Sequence, residues 1–375
     1  MTKRILTVAL CLIMALSAVG CGQQQAAPSS SAAPTASTAP ADTSARTAPA
    51  DTSAPDAAAP SADARVLKWS ANSPEGYPDY ESAMRIKAYV EEKTNGEIIL
   101  EVYPDNILGD WTVVFDEIMA GGIDFTATSV PDYYDPRIAA CTLPYLTATY
   151  DEVATVFRKG GYYDKVLEEC YEELNVKYFG VYADGYCGIG VQGALENANT
   201  SGTPKGKSII RVPPNNSMLL AVENLGFNVS SIPYSDTYTS LQTGVVQGWC
   251  GGPVSQHYGQ WLDVEDHYYD YDIWQESRHY IASMKTWESL TPEQQQIFTD
   301  IILQEAELSV KNAEENDAKY KKLYEEKEGY EMVYFTDEEK KAFAADCRAK
   351  VWPQLNELYG EEFLTELLAD IEANT

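Results

Sequence analysis

The sequence predicts an α/β fold of two lobes facing each other across a cleft. Three observations carry that expectation. From Val66 onward short β-branched runs alternate with helical periods, two separate βαβ sets occur in one chain, and one late helical period runs for over thirty residues, long enough to span two lobes. In the first set Val66–Ser70 reads as a strand, 79–93 as an amphipathic helix, and Glu97–Tyr103 as a strand after the Asn95-Gly96 turn. Residues 110–121 then read as a helix ending at Gly121-Gly122, and Ile123–Thr128 as a third strand. The second set has a strand at Ser208–Val212, a helix at 216–225 ending at Gly226, and strands near Phe227–Ile232 and Gly244–Cys250. Thr291-Pro292-Glu293-Gln294 joins a threonine cap, proline in the first turn and glutamine three residues after the cap, and helical pattern continues to about Lys327. Tyr330–Phe335 reads as one more strand, and Thr336-Asp337-Glu338-Glu339 is a second capping box that opens the last helices.

The 375 residues carry 27 Lys+Arg against 57 Asp+Glu, a formal charge of −30. Residues 1–65 hold four basic and four acidic side chains, so all of that charge belongs to residues 66–375. Nucleic-acid binding and a polybasic membrane-surface mode are both disfavoured, because each needs a basic face. With 45% hydrophobic residues the folded part can bury a sizeable core of about two domains. Residues 1–20 read as an export signal: Lys3 and Arg4, the apolar run Ile5–Leu16, then small residues before Cys21. That junction resembles a bacterial lipobox, in which the cysteine is lipidated and becomes the new N-terminus, although Ala18 stands where leucine is usual. An ordinary cleaved signal is the competing reading. All but ten of the 44 residues 22–65 are Ala, Pro, Ser or Thr, and the octet TAPADTSA occurs at 38–45 and again at 47–54. Such a segment cannot bury enough apolar surface to offset its ordering entropy, and as a flexible tether it would span about 35–40 Å.

Five cysteines remain in the folded part: Cys141, Cys170, Cys187, Cys250 and Cys347. Their odd number and the lack of CxxC spacing argue against a zinc site or a full disulfide framework. The three histidines, His257, His267 and His279, lie among acidic residues without a metal-ligand pattern, and no HExxH or GxSxG occurs. Gly188, Gly190 and Gly193 formally match GxGxxG, but loop sequence follows them and no helix N-terminus is offered to a pyrophosphate. No metal and no cofactor is expected. The informative residue is Arg211. Between Tyr178 and Ser277 the only basic side chains are Lys205, Lys207 and Arg211, and Arg211 sits on the apolar strand Ile209–Val212. An arginine there is either paired with a buried acid or held for an anionic ligand, whose carboxylate it can grip through two parallel hydrogen bonds. The −30 does not forbid an anion, since most of those charges lie beyond the ~8 Å Debye length while contact at ~4 Å is worth about 4 kcal/mol.

The segments Val90–Gly96, Glu101–Pro104, Leu108–Asp110, Leu143–Tyr145, Gly206–Pro213, Leu225-Gly226, Tyr238–Gly248 and Trp287–Leu290 resemble, in the same order, the substrate-binding proteins of TRAP (tripartite ATP-independent periplasmic) transporters, the DctP-type family. The resemblance implies a periplasmic-binding-protein-like fold whose two lobes close by a hinge on a small organic acid. It further implies delivery to TRAP membrane subunits driven by an ion gradient rather than ATP, and no enzymatic activity. By that resemblance Arg211 grips the ligand carboxylate. Asn72, Tyr234 and Trp249 are expected to face the cleft, with Trp111, Tyr133 and Tyr134 as weaker candidates and core packing as the alternative for each. Cys187 falls where many members carry a second arginine, and Trp249–Pro253 replaces a more polar run. Loss of charge and gain of aromatic surface point to a monocarboxylate with an apolar or aromatic body. The expected division is 1–20 signal, 21–65 lipidated cysteine and tether, 66–184 plus 277–316 first lobe, and 185–276 plus 317–375 second lobe. Competing readings are an ABC-type binding protein, a ligand sensor docking to a receptor, and a surface hydrolase using Cys187 or Cys250 with His257 as base.

Overall fold

A computed structural model describes residues 64–375; the expected signal, Cys21 and tether lie outside the described residues. The chain opens as β1 (Arg65–Ala71), α1 (Pro78–Lys93), β2 (Ile98–Tyr103), α2 (Trp111–Ala120) and β3 (Phe125–Thr128), the expected βαβαβ set. Asp110 caps α2 by accepting from the Thr112 N–H, and Gly121 ends it in the left-handed region at φ 78°. A 3₁₀ turn (Pro136–Thr142) leads to α3 (Tyr150–Phe157), α4 (Tyr162–Glu173), β4 (Val176–Tyr186) and β5 (Ile189–Val191). Next come β6 (Ile209–Val212), α5 (Asn216–Leu225), β7 (Asn228–Ser231), α6 (Tyr234–Gln242), β8 (Gly248–Trp249), α7 (Val254–Gln260), β9 (His267–Tyr269) and β10 (Gln275–Ser283). The helical end comprises α8 (Met284–Glu288), α9 (Pro292–Glu325), then β11 (Glu331–Val333), α10 (Asp337–Lys350), α11 (Trp352–Tyr359) and α12 (Glu361–Asn374). Both predicted capping boxes form, at Thr291/Gln294 and Thr336/Glu339.

Two sheets result. The first has the order β2-β1-β3-β10-β4, with β1 parallel to β2 and β3 and with β10 antiparallel to both neighbours. The second runs β11-β9-β5-β8-β6-β7. The chain crosses between them twice, from β4 into β5 and from β9 into β10. The 34 residues of α9, about 51 Å of helix, form a third tie by packing on β4 and α1 of the first lobe and on α7 and β11 of the second. Near its start Phe298 stacks on Phe125 at 4.3 Å, seating the helix in the aromatic core around Trp69.

The structure corrects two expectations about the strands. The strand expected at Gly244–Cys250 shrinks to β8, because Gly244 turns in the left-handed region (φ 74°) and the Gln247 amide donates back to its carbonyl at 2.9 Å. The two crossing strands β4 and β10 escaped prediction, since both are buried along nearly their whole length and neither alternates polar with apolar. Of the C-terminal helices, α10 packs on α5, whereas α12 packs on α3 and α4. We therefore propose counting α12 with the first lobe. The GxGxxG stretch also has a packing explanation, for a Cβ on Gly190 would stand 1.7 Å from the Glu265 carboxylate.

Where α9 passes behind the crossing strand, Asp317 accepts from the Tyr186 N–H at 3.1 Å and from the Tyr150 hydroxyl. Burial pushes its carboxyl up to about 7, against the pull of Lys321. A carboxyl raised in the folded state favours folding below its unfolded value near ~3.9, and that contribution is lost as pH rises through about 7. Urea unfolding between pH 4 and 8 is expected to show stability falling with pH, and Asp317→Asn is expected to flatten the slope by on the order of 1–3 kcal/mol.

Candidate ligand-binding site

One cavity opens between the two lobes at the carboxyl ends of β1, β3, β6 and β8, where open α/β sheets place their ligands. Counted out to its mouth, with the solvent-filled opening included, it encloses about 760 Å³. Asn72, Asn106 and Trp111 line it from the first lobe, Arg211, Asn215, Met218 and Tyr234 from the second, and Glu276, Ser277, Arg278 and His279 from β10.

Arg211 is 1% exposed. Its Nε donates to the Ile232 carbonyl at 2.8 Å and its Nη1 to the Cys250 carbonyl at 3.1 Å. Among the described residues Nη2 has no partner, and no carboxylate lies within ion-pair distance of the guanidinium. Burial lowers its pKa to about 10, opposed by Tyr234, Cys250, Asp110 and Glu276, so it remains a cation at neutral pH. Gly251 makes room for it: at φ 116° a Cβ there would stand 2.4 Å from Pro213 and 3.1 Å from Nη1. The Tyr234 ring lies 5.9 Å from the guanidinium carbon, and its hydroxyl accepts from the Gln256 amide at 2.6 Å and donates to Gln260. A guanidinium held by two carbonyls with one end free is oriented to bind an anion without being neutralised beforehand.

Of the residues expected in the cleft, Arg211, Asn72, Tyr234 and Trp111 line the cavity. The Oδ1 of Asn72 is buried without a hydrogen-bond partner. Trp249, Cys187 and Tyr133 do not line it. Trp249 lies one layer back, fully buried, stacked on His257 at 3.9 Å with its Nε1 donating to Glu265 at 3.2 Å. Cys187 is buried at the β4–β5 crossing, its thiol directed at Glu276. Tyr133 is 66% exposed and rests on Tyr134, which packs on Phe115 outside the cavity. Lys205 is tied to the carbonyls of Asn197 and Thr200 in a loop of the second lobe.

Sequence reasoning missed the wall contributed by β10. Arg278 there is 4% exposed and ion-paired with Asp79 of α1 and, at 2.7 Å, with Asp184 of β4. Burial alone would lower its pKa, but the two aspartates outweigh burial and raise it. Burial pushes the Asp184 carboxyl up, and the Arg278 guanidinium at 2.7 Å pulls it back down, so the two face each other as an ion pair. The available signal was a run of polar residues, Gln275–His279, flanked by apolar ones.

The histidines do not converge. His257 pairs with Glu265 at 2.9 Å and His267 with Asp266, while His279 meets Cys141 at 3.4 Å in the cavity wall. The suggested pairing of Cys187 or Cys250 with His257 is not assembled: Cys250 donates to the Gly188 carbonyl and Cys187 faces Glu276. Cys141 and His279 do touch, but burial pushes the thiol up to about 11 and the imidazole down to about 3, the reverse of an activated thiolate–imidazolium pair. Among the described residues no cluster of three or more metal-binding side chains occurs.

The profile of the bacterial extracellular solute-binding proteins, family 7 (DctP), matches residues 69–357. The chain belongs to this family. Its members are solute-binding proteins of transport systems rather than enzymes, extracytoplasmic in location, and no helix among the described residues is long and apolar enough to cross a membrane. An uncharacterized protein of Salmonella typhimurium, YiiZ, is 29% identical over 219 residues, 56% of this chain and 63% of YiiZ. The match thus falls short of two thirds of that relative's length. The C4-dicarboxylate-binding periplasmic protein DctP of Vibrio cholerae is 24% identical over 81% of this chain and 90% of its own. Among solved structures, the sugar-acid-binding protein DctPAm of Advenella mimigardefordensis, in complex with galactonate, superposes with a TM-score of 0.75 at 17% identity, covering 84% of this chain and 99% of that one. The two-lobed fold is shared.

All five cysteines of the described part are buried and unpaired. Alkylation of the native protein at pH 7.5 followed by peptide mapping is expected to leave Cys141, Cys170, Cys187, Cys250 and Cys347 unmodified, and alkylation in denaturant to label all five. Rapid native labelling at Cys141 would revive a nucleophilic role.

Proposed function

We propose that this protein is the extracytoplasmic solute-binding lipoprotein of a TRAP transporter, capturing a small monocarboxylate with an apolar or aromatic body and delivering it to membrane subunits. The observation that carries the reading is Arg211, a buried cation in the inter-lobe cavity with a free nitrogen and, among the described residues, no carboxylate partner. Family membership supplies the transport context. The remaining arginine of the cavity, Arg278, is already occupied by two aspartates, which favours one carboxylate on the ligand rather than two. Trp111, Val130, Ile138 and Met218 offer the apolar surface. The two crossing connections and α9 would serve as the hinge on which the lobes close.

Two charge-assisted hydrogen bonds from a guanidinium contribute roughly 1.5–3 kcal/mol each, and ~1.4 kcal/mol is tenfold in affinity. Calorimetry is expected to show binding of branched or aromatic monocarboxylates. Arg211→Ala should weaken that binding at least about tenfold while circular dichroism stays unchanged. Arg211→Lys should also bind weakly, because it keeps charge but loses the planar fork. Unchanged affinity, or stabilisation by C4-dicarboxylates alone, would overturn the reading.

The lipid anchor rests on the sequence around Cys21. Cys21→Ser is expected to move the protein from the membrane to the soluble extracytoplasmic fraction, and metabolic labelling with an alkyne fatty acid should mark only the parent.

A further inference from the structure

The Arg211 cavity has a second pole. Glu276, on the crossing strand β10, is 7% exposed and lines the same cavity. Ser129 donates to its Oε1 at 3.3 Å, and Trp274 Nε1 donates to its Oε2 at 3.0 Å, with the Cys187 thiol at 3.7 Å. These are neutral donors. The nearby cation, Arg278, spends its charge on Asp79 and Asp184, and among the described residues no cation lies within ion-pair distance of Glu276. One buried cation and one buried anion therefore border a single cavity without meeting.

Two further groups point the same way. The Oγ of Ser277, a residue 1% exposed, and the Oδ1 of Asn72 both belong to cavity-lining residues and both lack hydrogen-bond partners. The Asn72 oxygen can only accept. A ligand that offered only a carboxylate and hydrocarbon would satisfy Arg211 but leave these buried oxygens unpaired, forgoing about tenfold in affinity or more. Burial raises the pKa of Glu276, a shift that a cationic group beside it would oppose.

We propose that the solute is amphoteric, with its carboxylate on Arg211 and an ammonium or comparable cationic N–H group on Glu276, Asn72 Oδ1 and Ser277 Oγ. The proposal rests on the monocarboxylate reading and adds a required second group to the ligand body. Glu276 is then a specificity residue, which selects the amino-bearing member from pairs of otherwise similar acids.

Calorimetry on the purified protein with three matched pairs tests this: valine and 3-methylbutanoate, proline and cyclopentanecarboxylate, phenylalanine and 3-phenylpropanoate, with succinate alongside. The amino-bearing member of at least one pair is expected to bind at least about tenfold more tightly than its partner. Glu276→Gln should erase that preference while leaving the affinity for the partner acid unlowered, and Glu276→Asp should keep the preference if Glu276→Gln does not fold. The proposal is overturned if the amino-free acids bind as tightly in every pair, if the preference survives Glu276→Gln, or if none of the six binds. Tight binding of the amino-free acids would leave the monocarboxylate reading standing, whereas binding of succinate alone would remove both.

Discussion

A guanidinium withdrawn from water without a carboxylate beside it is the constraint on which the site depends. Taking such a cation out of water costs several kcal/mol, and the structure offsets that cost only in part, through the carbonyls of Ile232 and Cys250 and the face of Tyr234. The contrast with Arg278 is instructive. Two arginines border one cavity, both nearly inaccessible to solvent, yet one is neutralised by Asp79 and Asp184 and the other is left incomplete. The paired arginine is cross-bracing between α1, β4 and β10. The unpaired one is a cation that an anionic ligand can complete, and its position on β6 sets it in the wall of the cavity between the sheets.

The strand β10 sets the cavity wall beside a connection between the two sheets. Its register with β4 shifts between Glu276 and Ser277, the stretch that also forms the cavity wall. A ligand contacting this wall therefore touches the start of a first-sheet strand, just where the chain arrives from β9 of the second sheet.

Much of the architecture was legible because the signals were local. The helix caps at Asp110, Thr291 and Thr336, the glycine stops at 121 and 226, and the alternating strands of the two βαβ sets need only a few neighbouring residues to declare themselves. Arg211 was legible because a lone cation on an apolar strand is conspicuous. What stayed hidden depends on contacts distant in sequence. Nothing near Gln275–Ser283 shows that these polar residues are buried, since their partners come from residues 79, 129, 141, 171 and 184. Trp249 misled for the same reason: its neighbours on the strand suggest a cleft, whereas the cage of His257, Trp261 and Glu265 that encloses it is assembled from the following helix and loop.

The five unpaired thiols bear on where such a protein can work. Each packs as a small apolar group, and among the described residues no disulfide joins the lobes or the long helix. The fold is therefore held by burial, caps and ion pairs that form without an oxidant, and its stability does not follow the redox potential of its surroundings. A body packed around reduced thiols in this way keeps its described architecture in a reducing, oxygen-poor setting.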